Sequence, residues 1–393
     1  MHPLDGITVV ALEHAVAAPF ATRQLADLGA RVIKIERPKT GDFARAYDET
    51  VHGMAAGFVW LNRSKQSITL DIKHPKSEEI MGRLLSRADV LVQNLAPGSA
   101  AKLGLSAENL IARFPKLIVC EISGYGDSGP YRDKKAYDLL IQGEAGLISI
   151  TGTPTDPAKT GISIADIAAG MYAYSGILAS LYRREKTGRG SVVKVSMFEA
   201  LCEWMMFPLY YEHFGGIPFI PTGASHPAIC PYGPFRSGDG KTLMLGIQNE
   251  REWESFCECV LKRPEMADDP RMNSVSRRVE NREVVKEFIE TVFGKLTMEQ
   301  IVSLLDAAGI ANSQMSDLET VWNHPQLKAR GRWRNVASPV GDIPTLIPPG
   351  LPCDVEPRMD PIPSLGRDTD TVLGELGFTP GDIDNLRAEA AIS

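Results

Sequence analysis

Several kinds of chemistry are missing from this chain, and each absence narrows what it can do. The six cysteines (Cys120, Cys202, Cys230, Cys257, Cys259 and Cys353) are scattered with no CxxC pair. The seven histidines show no HxxxH or HxH spacing. Neither a zinc site nor a disulfide framework is therefore written in the sequence. GxSxG is absent, which counts against the serine elbow of the hydrolases. Positive charge is not in excess: the net charge of −7 argues against a nucleic-acid surface as the main partner. No uninterrupted apolar run approaches the ~18 residues of a membrane span. The N-terminal MHPLDGITVVALE passes straight into a strand rather than a targeting segment. Reduced thiols and a cytoplasmic location are the resulting expectation. Internal repeats and low-complexity tracts are also lacking.

What is present is an ordinary globular composition, 44% hydrophobic and 23% charged over 393 residues, long enough for two domains. ITVVALE (7–13) reads as a buried strand, FATRQLADLG as a helix stopped by Gly29, and RVIKIE (31–36) as the next strand. Such a β-α-β opening implies a parallel sheet covered by helices. Its first turn, His14 to Pro19, lacks GxGxxG and is mostly alanine, so a dinucleotide pyrophosphate with Glu36 on the ribose finds little support. The alternation continues through SITLDI (67–72), a helix from Pro75 to Ala88, VLVQNL (90–95), a helix containing NLIARF (109–114), and LIVCEISGYG (117–126). The expected fold class is α/β, with an open, mostly parallel, Rossmann-like sheet. Ligands of such sheets sit beyond the carboxyl ends of the strands. Arg37, Lys65, Lys73, Lys102, Lys134 and Lys135 are candidates for a basic mouth there, although any one alone is more often a solvated surface charge.

From about residue 200 the texture changes. ALCEWMMFPLYYEHFGG is helical and aromatic, IPFIPTGASHPAICPYGPF is a proline-broken loop, and FRSGDGKTLMLGIQ is a hairpin turned at Gly238-Asp239-Gly240. GDGKT is not a phosphate-binding loop, because Phe235 stands where the opening glycine is needed. Short helices fill 250–310, and a Pro- and Gly-rich return strap follows from about 325. The expected division is a large α/β domain over 1–215, a smaller α+β domain over 216–325, and a strap with terminal helices over 326–393 that packs on the large domain.

The chain is organised around 159–199, KTGISIADIAAGMYAYSGILASLYRREKTGRGSVVKVSMFEA. Asp166 stands before a helix whose Ile167, Met171, Tyr174, Leu178 and Leu181 repeat at core spacing. Small residues fill the gaps and let another backbone pass close. An Asp there usually caps the helix. The sharper alternative is a nucleophilic carboxylate, kept ionised by the helix dipole and sheltered from water.

In order, ADLGARVIKIERPKTGDFAR, NRSKQSITLDIK, DVLVQNLAPGSAAKLGL, SGYGDSGPYRDKKAYDLLIQGEAG, GISIADIAAGMYAYSGILASLYRREKTGRG and GIQNEREW resemble the class III CoA-transferases. This is the formyl-CoA transferase and carnitine-CoA-transferase type, and the resemblance covers nearly the whole chain. It implies an interlocked homodimer with no permanently bound cofactor, acting on coenzyme A esters and carboxylic acids, without nucleic acid or membrane. It matches Asp166 to the catalytic aspartate, which passes through a mixed anhydride and an aspartyl-CoA thioester. It carries CoA contacts onto His14, Arg37, Leu70, Ile72, Lys73, Asn94, Leu95, Lys102, Lys135 and Tyr137. The formyl branch covers its site with a run of glycines; TGASHPAICPYGP, at 222–234, has none. That departure puts polar groups where the formyl branch has glycines: the resemblance implies that Ser225 and His226 lie near the reacting carboxyl, and Arg251, after the hairpin, is a candidate for a second carboxylate, hence dicarboxylic C4–C5 substrates. Two alternatives stay open: an acyl-CoA racemase or epimerase of the same family, whose histidine base is not evident beside YGDSGPYRD, and a non-catalytic acyl-CoA-binding protein.

Overall fold

The structure, a computed structural model, describes residues 1–393. Six segments that read as apolar or β-branched runs form one sheet. They are β1 (Thr8–Leu12), β2 (Arg31–Glu36), β3 (Lys65–Thr69), β4 (Val90–Gln93), β5 (Ile118–Ser123) and β6 (Ser191–Ser196). Every neighbouring pair is parallel, in the order β3-β2-β1-β4-β5-β6. A sheet covered on both faces needs continuous apolar strands, and from Val9 to Leu12 every side chain of β1 is buried. The strand order reverses between β1 and β4, so the crevice beyond their carboxyl ends is the natural ligand position.

Five helices matter for the site: α1 (Ala17–Asp27), α2 (Ser77–Leu85), α3 (Ala107–Arg113), α4 (Asp138–Glu144) and α5 (Ile164–Thr187). By length and composition α5 is apolar enough to cross a membrane. One face of it is core, where Ala168, Ala169, Gly170, Ala173, Ile177 and Leu181 are buried, while Met171, Tyr172 and Tyr182 are exposed on the other. It stops at Gly188, whose φ of +69° suits a residue without a Cβ.

The chain divides into two compact units. The first comprises Met1–Ala145, Gly161–Met206 and Leu327–Ser393; the second comprises Gly146–Thr160 and Phe207–Gln326. The boundary expected at 215 thus falls at 206, because the aromatic helix Met206–Gly215 packs within the second unit, Phe207 and Tyr211 lying 5.8 and 5.4 Å from Phe219. The segment 146–160, expected in the large domain, also goes to the second unit as a short hairpin.

The return strap is more ordered than its prolines suggest. Trp333–Val336 and Ile343–Leu346 pair as a hairpin, and Val336, Ile343 and Ile362 close a small core with Ala55, Phe58 and Val59. Terminal helices Thr369–Glu375 and Pro380–Ala388 then bury Val372, Leu373, Ile383 and Leu386 against the main sheet's core. Ser393 ends beside β3, its N–H donating to the Thr69 hydroxyl. The second unit pairs Tyr232–Arg236, Thr242–Gly246 and Ala311–Gln314 as an antiparallel sheet over helices Arg282–Phe293 and Met298–Ala307. Trp253, Phe256 and Phe293 sit in its core.

Candidate active site

The crevice at the strand reversal is tied shut at its base by one reciprocal pair. The His14 N–H donates to Asn94 Oδ1 and the Asn94 amide donates back to the His14 carbonyl, both at 2.9 Å. Asn94 thereby links the ends of β1 and β4. Ala15 takes a φ of +59°, and its N–H donates to Asp42. Beneath this turn lies a fully buried ion cluster. Lys65 Nζ meets Glu13 at 2.7 Å, and Lys34 meets Asp42 at 2.8 Å and Glu13 at 3.2 Å. Burial pushes the Glu13 carboxyl up, but Lys34 and Lys65 outweigh it and hold it at about 2. Lys65 is therefore structural and does not belong to a basic mouth; deleting it would leave the buried Glu13 with Lys34 as its one remaining cation. Glu36 is equally committed, to Arg45 and to the Ser67 hydroxyl, and cannot serve a ribose.

Asp166 lies inside the first turn of α5, not before it, so it is not the helix cap. The cap is Asp138, which the sequence reading passed over. Its Oδ1 accepts the N–H groups of Ala165 at 2.8 Å and Asp166 at 3.4 Å, and its Oδ2 accepts from Gln142 at 2.7 Å. One turn beyond Asp166, Gly170 lets α5 cross α1 closely. A Cβ there would stand 2.8 Å from the Ala17 carbonyl and 2.9 Å from the Phe20 ring. The crossing brings the Asp166 carboxyl near enough to the Ala17 N–H, at the positive end of α1, for that N–H to favour its charge. Burial pushes the Asp166 carboxyl up, the charge of Asp138 adds to this, and the Ala17 N–H lowers it in part, leaving it at about 7. An aromatic ladder flanks the group: His14 stacks on Phe43 at 5.4 Å, and Phe43 meets Tyr47 at 5.7 Å. Burial and the charges of Asp42 and Asp166 push the Tyr47 phenol up, so it stays a hydrogen-bond donor. The arrangement supplies a poorly hydrated carboxylate that ionises near neutrality, beside an N–H able to receive developing negative charge.

A second feature gathers other expected residues. A cavity of about 550 Å³ opens between the β3–α2 turn and α3, lined by Ile72, Lys73 and Lys102 among others. Leu70 does not reach it: the side chain is in the main core. Leu95 packs on the edge of that core, its N–H donating to Gln93. Arg37, Lys73, Lys102 and Lys135 form no ion pair within the protein. Lys134, by contrast, pairs with Glu144 at 2.8 Å and lies over the Tyr125 and Tyr131 rings, so it drops out of the basic mouth. Tyr137 stands at the start of α4 and is exposed.

In the second unit, Ser225 and His226 share one ordered loop. The His226 N–H donates to the Tyr232 carbonyl at 2.8 Å, its ring stacks on Tyr232 at 5.4 Å, and its Nδ1 accepts from the Ala228 N–H. That leaves Nε2 as the free ring nitrogen. Arg251 stands on the separate helix Glu250–Ser255 and contacts neither. Its neighbour Glu250 pairs instead with the buried Arg278 at 2.6 Å, so Arg251 has no ion-pair partner.

Known proteins match this architecture along nearly its whole length. The model of CoA-transferase family III matches residues 4–369. The chain is 33% identical to succinate–glutarate CoA-transferase of Agrobacterium fabrum, covering 95% of this chain and 96% of that one. It is also 33% identical to acetyl-CoA:oxalate CoA-transferase of Acetobacter aceti, covering 84% of each. The crystal structure of a CaiB/BaiF family protein from Brucella suis superposes with a TM-score of 0.83 at 32% identity, covering 95% of this chain and 99% of that one. With a parallel sheet, a crevice at its reversal and these relatives, the chain belongs to CoA-transferase family III and is a CoA-transferase enzyme.

Proposed function

We propose that the enzyme moves CoA between dicarboxylic acids of the C4–C5 class, with Asp166 as the nucleophile. The Asp166 carboxylate attacks the thioester carbonyl of the donor, the C–S bond breaks, and CoA leaves as a thiolate from a mixed anhydride. The thiolate attacks the aspartyl carbonyl, releasing the donor acid and leaving an aspartyl-CoA thioester. The acceptor carboxylate attacks that thioester, and the thiolate returns to the acceptor's carbonyl carbon. The new CoA ester leaves and Asp166 is a carboxylate again, so no oxidant or further reactant is required. The observation that carries the reading is the partly buried Asp166 carboxyl, whose charge is disfavoured by burial and favoured by the Ala17 N–H at the start of α1. In that position the N–H stabilises the oxyanion that forms each time the aspartyl carbonyl is attacked. Dry surroundings protect both acyl intermediates from hydrolysis.

Relatives named for succinate, glutarate and oxalate support a dicarboxylic substrate. Arg251, uncommitted, and His226, with Nε2 free, are the proposed readers of the second carboxylate, with Ser225 beside them. A panel of CoA esters and acceptor acids of matched length tests this, run on wild type, His226→Ala and Arg251→Ala. Diacids are expected to exceed monoacids by ~10-fold or more, and each variant is expected to narrow that gap. Equal turnover of monoacids would show that no second carboxylate is read.

The working form is proposed to be an interlocking homodimer in a reducing cytoplasm that keeps all six cysteines free. Each unit leaves large apolar side chains uncovered, Trp60 and Tyr172 on the first, Tyr210 and Phe214 on the second, with Phe214 77% exposed. Monomers rarely leave so much apolar surface in water. Sedimentation is expected to show a dimer down to micromolar concentration; a stable monomer there refutes it.

A further inference from the structure

The cavity beside α2 and α3 has an apolar floor and a cationic rim. Met81, Leu85, Leu105 and Leu110 are buried beneath it, and Lys73, Lys102 and Arg113 stand around it. Arg113 is the last residue of α3 and was not among the residues the sequence singled out. Its guanidinium lies across α2 at Gly82, where a Cβ would come 2.8 Å from the terminal nitrogen. It has no hydrogen bond or ion pair in the protein, only the Phe114 ring at 5.1 Å. Neighbouring arginines are committed: Arg83 donates to Glu79 and to the Leu376 carbonyl, and Arg87 donates to the Glu375 carbonyl. The one carboxylate in the lining, Glu78, leaves the three cations in excess.

We infer that Arg113, with its guanidinium tip against Gly82, recognises the ribose 3′-phosphate of coenzyme A and makes the enzyme selective for CoA over 3′-dephospho-CoA. The inference rests on the CoA-ester reading above. A flat base suits the apolar floor, and the phosphate monoester shares a ribose with that base. Floor and rim therefore match the two parts of one nucleotide. The pyrophosphate leads toward the reacting thioester and is left to cations outside this lining, such as Arg37. A guanidinium fork with no protein partner is suited to a phosphate dianion, and its planar bidentate geometry is not reproduced by lysine.

The test compares kcat/KM for one acyl donor carried on CoA and on 3′-dephospho-CoA. Wild type, Arg113→Ala, Arg113→Lys, Gly82→Ala, Lys73→Ala and Lys102→Ala are assayed as full-length enzyme. Wild type is expected to favour the CoA ester, and Arg113→Ala to cut the ratio by ~10-fold or more. Arg113→Lys should restore only part of it. Gly82→Ala should lower the ratio in the same direction, because the new methyl displaces the guanidinium tip, while alanine is the better helix former and the fold is kept. If Arg113→Ala and Gly82→Ala leave the ratio unchanged while Lys73→Ala or Lys102→Ala raises KM, the cavity binds CoA and the role of Arg113 is refuted. If Arg113→Ala weakens both esters equally, the assignment to the 3′-phosphate is refuted. If none of the cation variants changes KM for either ester, CoA does not occupy this cavity and the inference is refuted, whereas the CoA-ester reading stands or falls separately, on whether wild type turns the ester over at all.

Discussion

Asp166→Asn is expected to lose CoA transfer by roughly 10⁴-fold or more while gaining thermal stability at neutral pH. The two effects share one cause. In the folded protein the carboxyl ionises at about 7, against 3.8 for an unperturbed group, because burial and Asp138 disfavour the charge. Between those values the native state holds a proton that the unfolded chain has released. Stability contributed by this group therefore falls as pH rises from about 4 to 7 and is flat above 7. The amide has no charge to bury, yet its oxygen still accepts the Ala17 N–H. Its advantage should be absent near pH 4 and reach on the order of 2 kcal/mol above pH 7, allowing for the solvent that reaches the carboxyl. Melting temperatures of wild type and variant across that range read it directly. A variant less stable than wild type at pH 8 would mean that the carboxylate is not held at a cost. In parallel, wild type given an acyl-CoA alone should acquire a mass adduct at Asp166 that hydroxylamine removes, and neither Asp166→Asn nor Asp166→Ala should. Substantial turnover by the alanine variant excludes the covalent route.

The parallel sheet was legible because a strand covered on both faces must be apolar along its length, and ITVVALE, RVIKIE and VLVQNL announce that without ambiguity. The strand Ala311–Gln314 was not, since ANSQ is a largely exposed edge strand with no apolar face to show. The strap hairpin was hidden by its prolines, although Val336 and Ile343 bury as any hairpin core does. At the site, Asp166 was visible as a carboxylate beside a small-residue helix. Its position was read as that of a cap because the real cap, Asp138, comes 27 residues before the Ala165 amide it holds. Lys65 was misread for the same reason: its partner Glu13 is 52 residues away. Spacing on one element reveals faces and turns. It does not reveal which charge waits on another strand. Arg113 escaped notice because a lone arginine at a helix end looks like any solvated charge until the glycine it lies against is seen.

Asp138→Asn should separate the electrostatic part of that carboxylate's role from its structural part. Asparagine keeps an oxygen for the Ala165 N–H, and Gln142 can turn its own amide oxygen toward the new NH₂, so the start of α5 stays capped. What disappears is the negative charge that raises the Asp166 carboxyl. The nucleophile must be ionised to attack, so kcat/KM in wild type should rise with pH and level off above about 7. In Asp138→Asn that limb should move down by about one pH unit, since a like charge at close range has been removed. At pH 6 the variant then keeps about half of its plateau rate, whereas wild type keeps only about a tenth of its own. The plateau itself should fall a few-fold, because a less basic carboxylate is a weaker nucleophile. Asp138→Ala removes the cap as well, and displacement of Asp166 by about an ångström is enough to cost ~100-fold. Asp138→Glu keeps the charge on a longer arm: the limb should stay near pH 7 while the rate drops. If Asp138→Asn leaves the limb where wild type has it, burial alone sets the ionisation of Asp166 and Asp138 is a cap and nothing more. If Asp138→Ala is no slower than Asp138→Asn, the cap does not position the nucleophile, and the close crossing of α5 over α1 at Gly170 suffices to hold it.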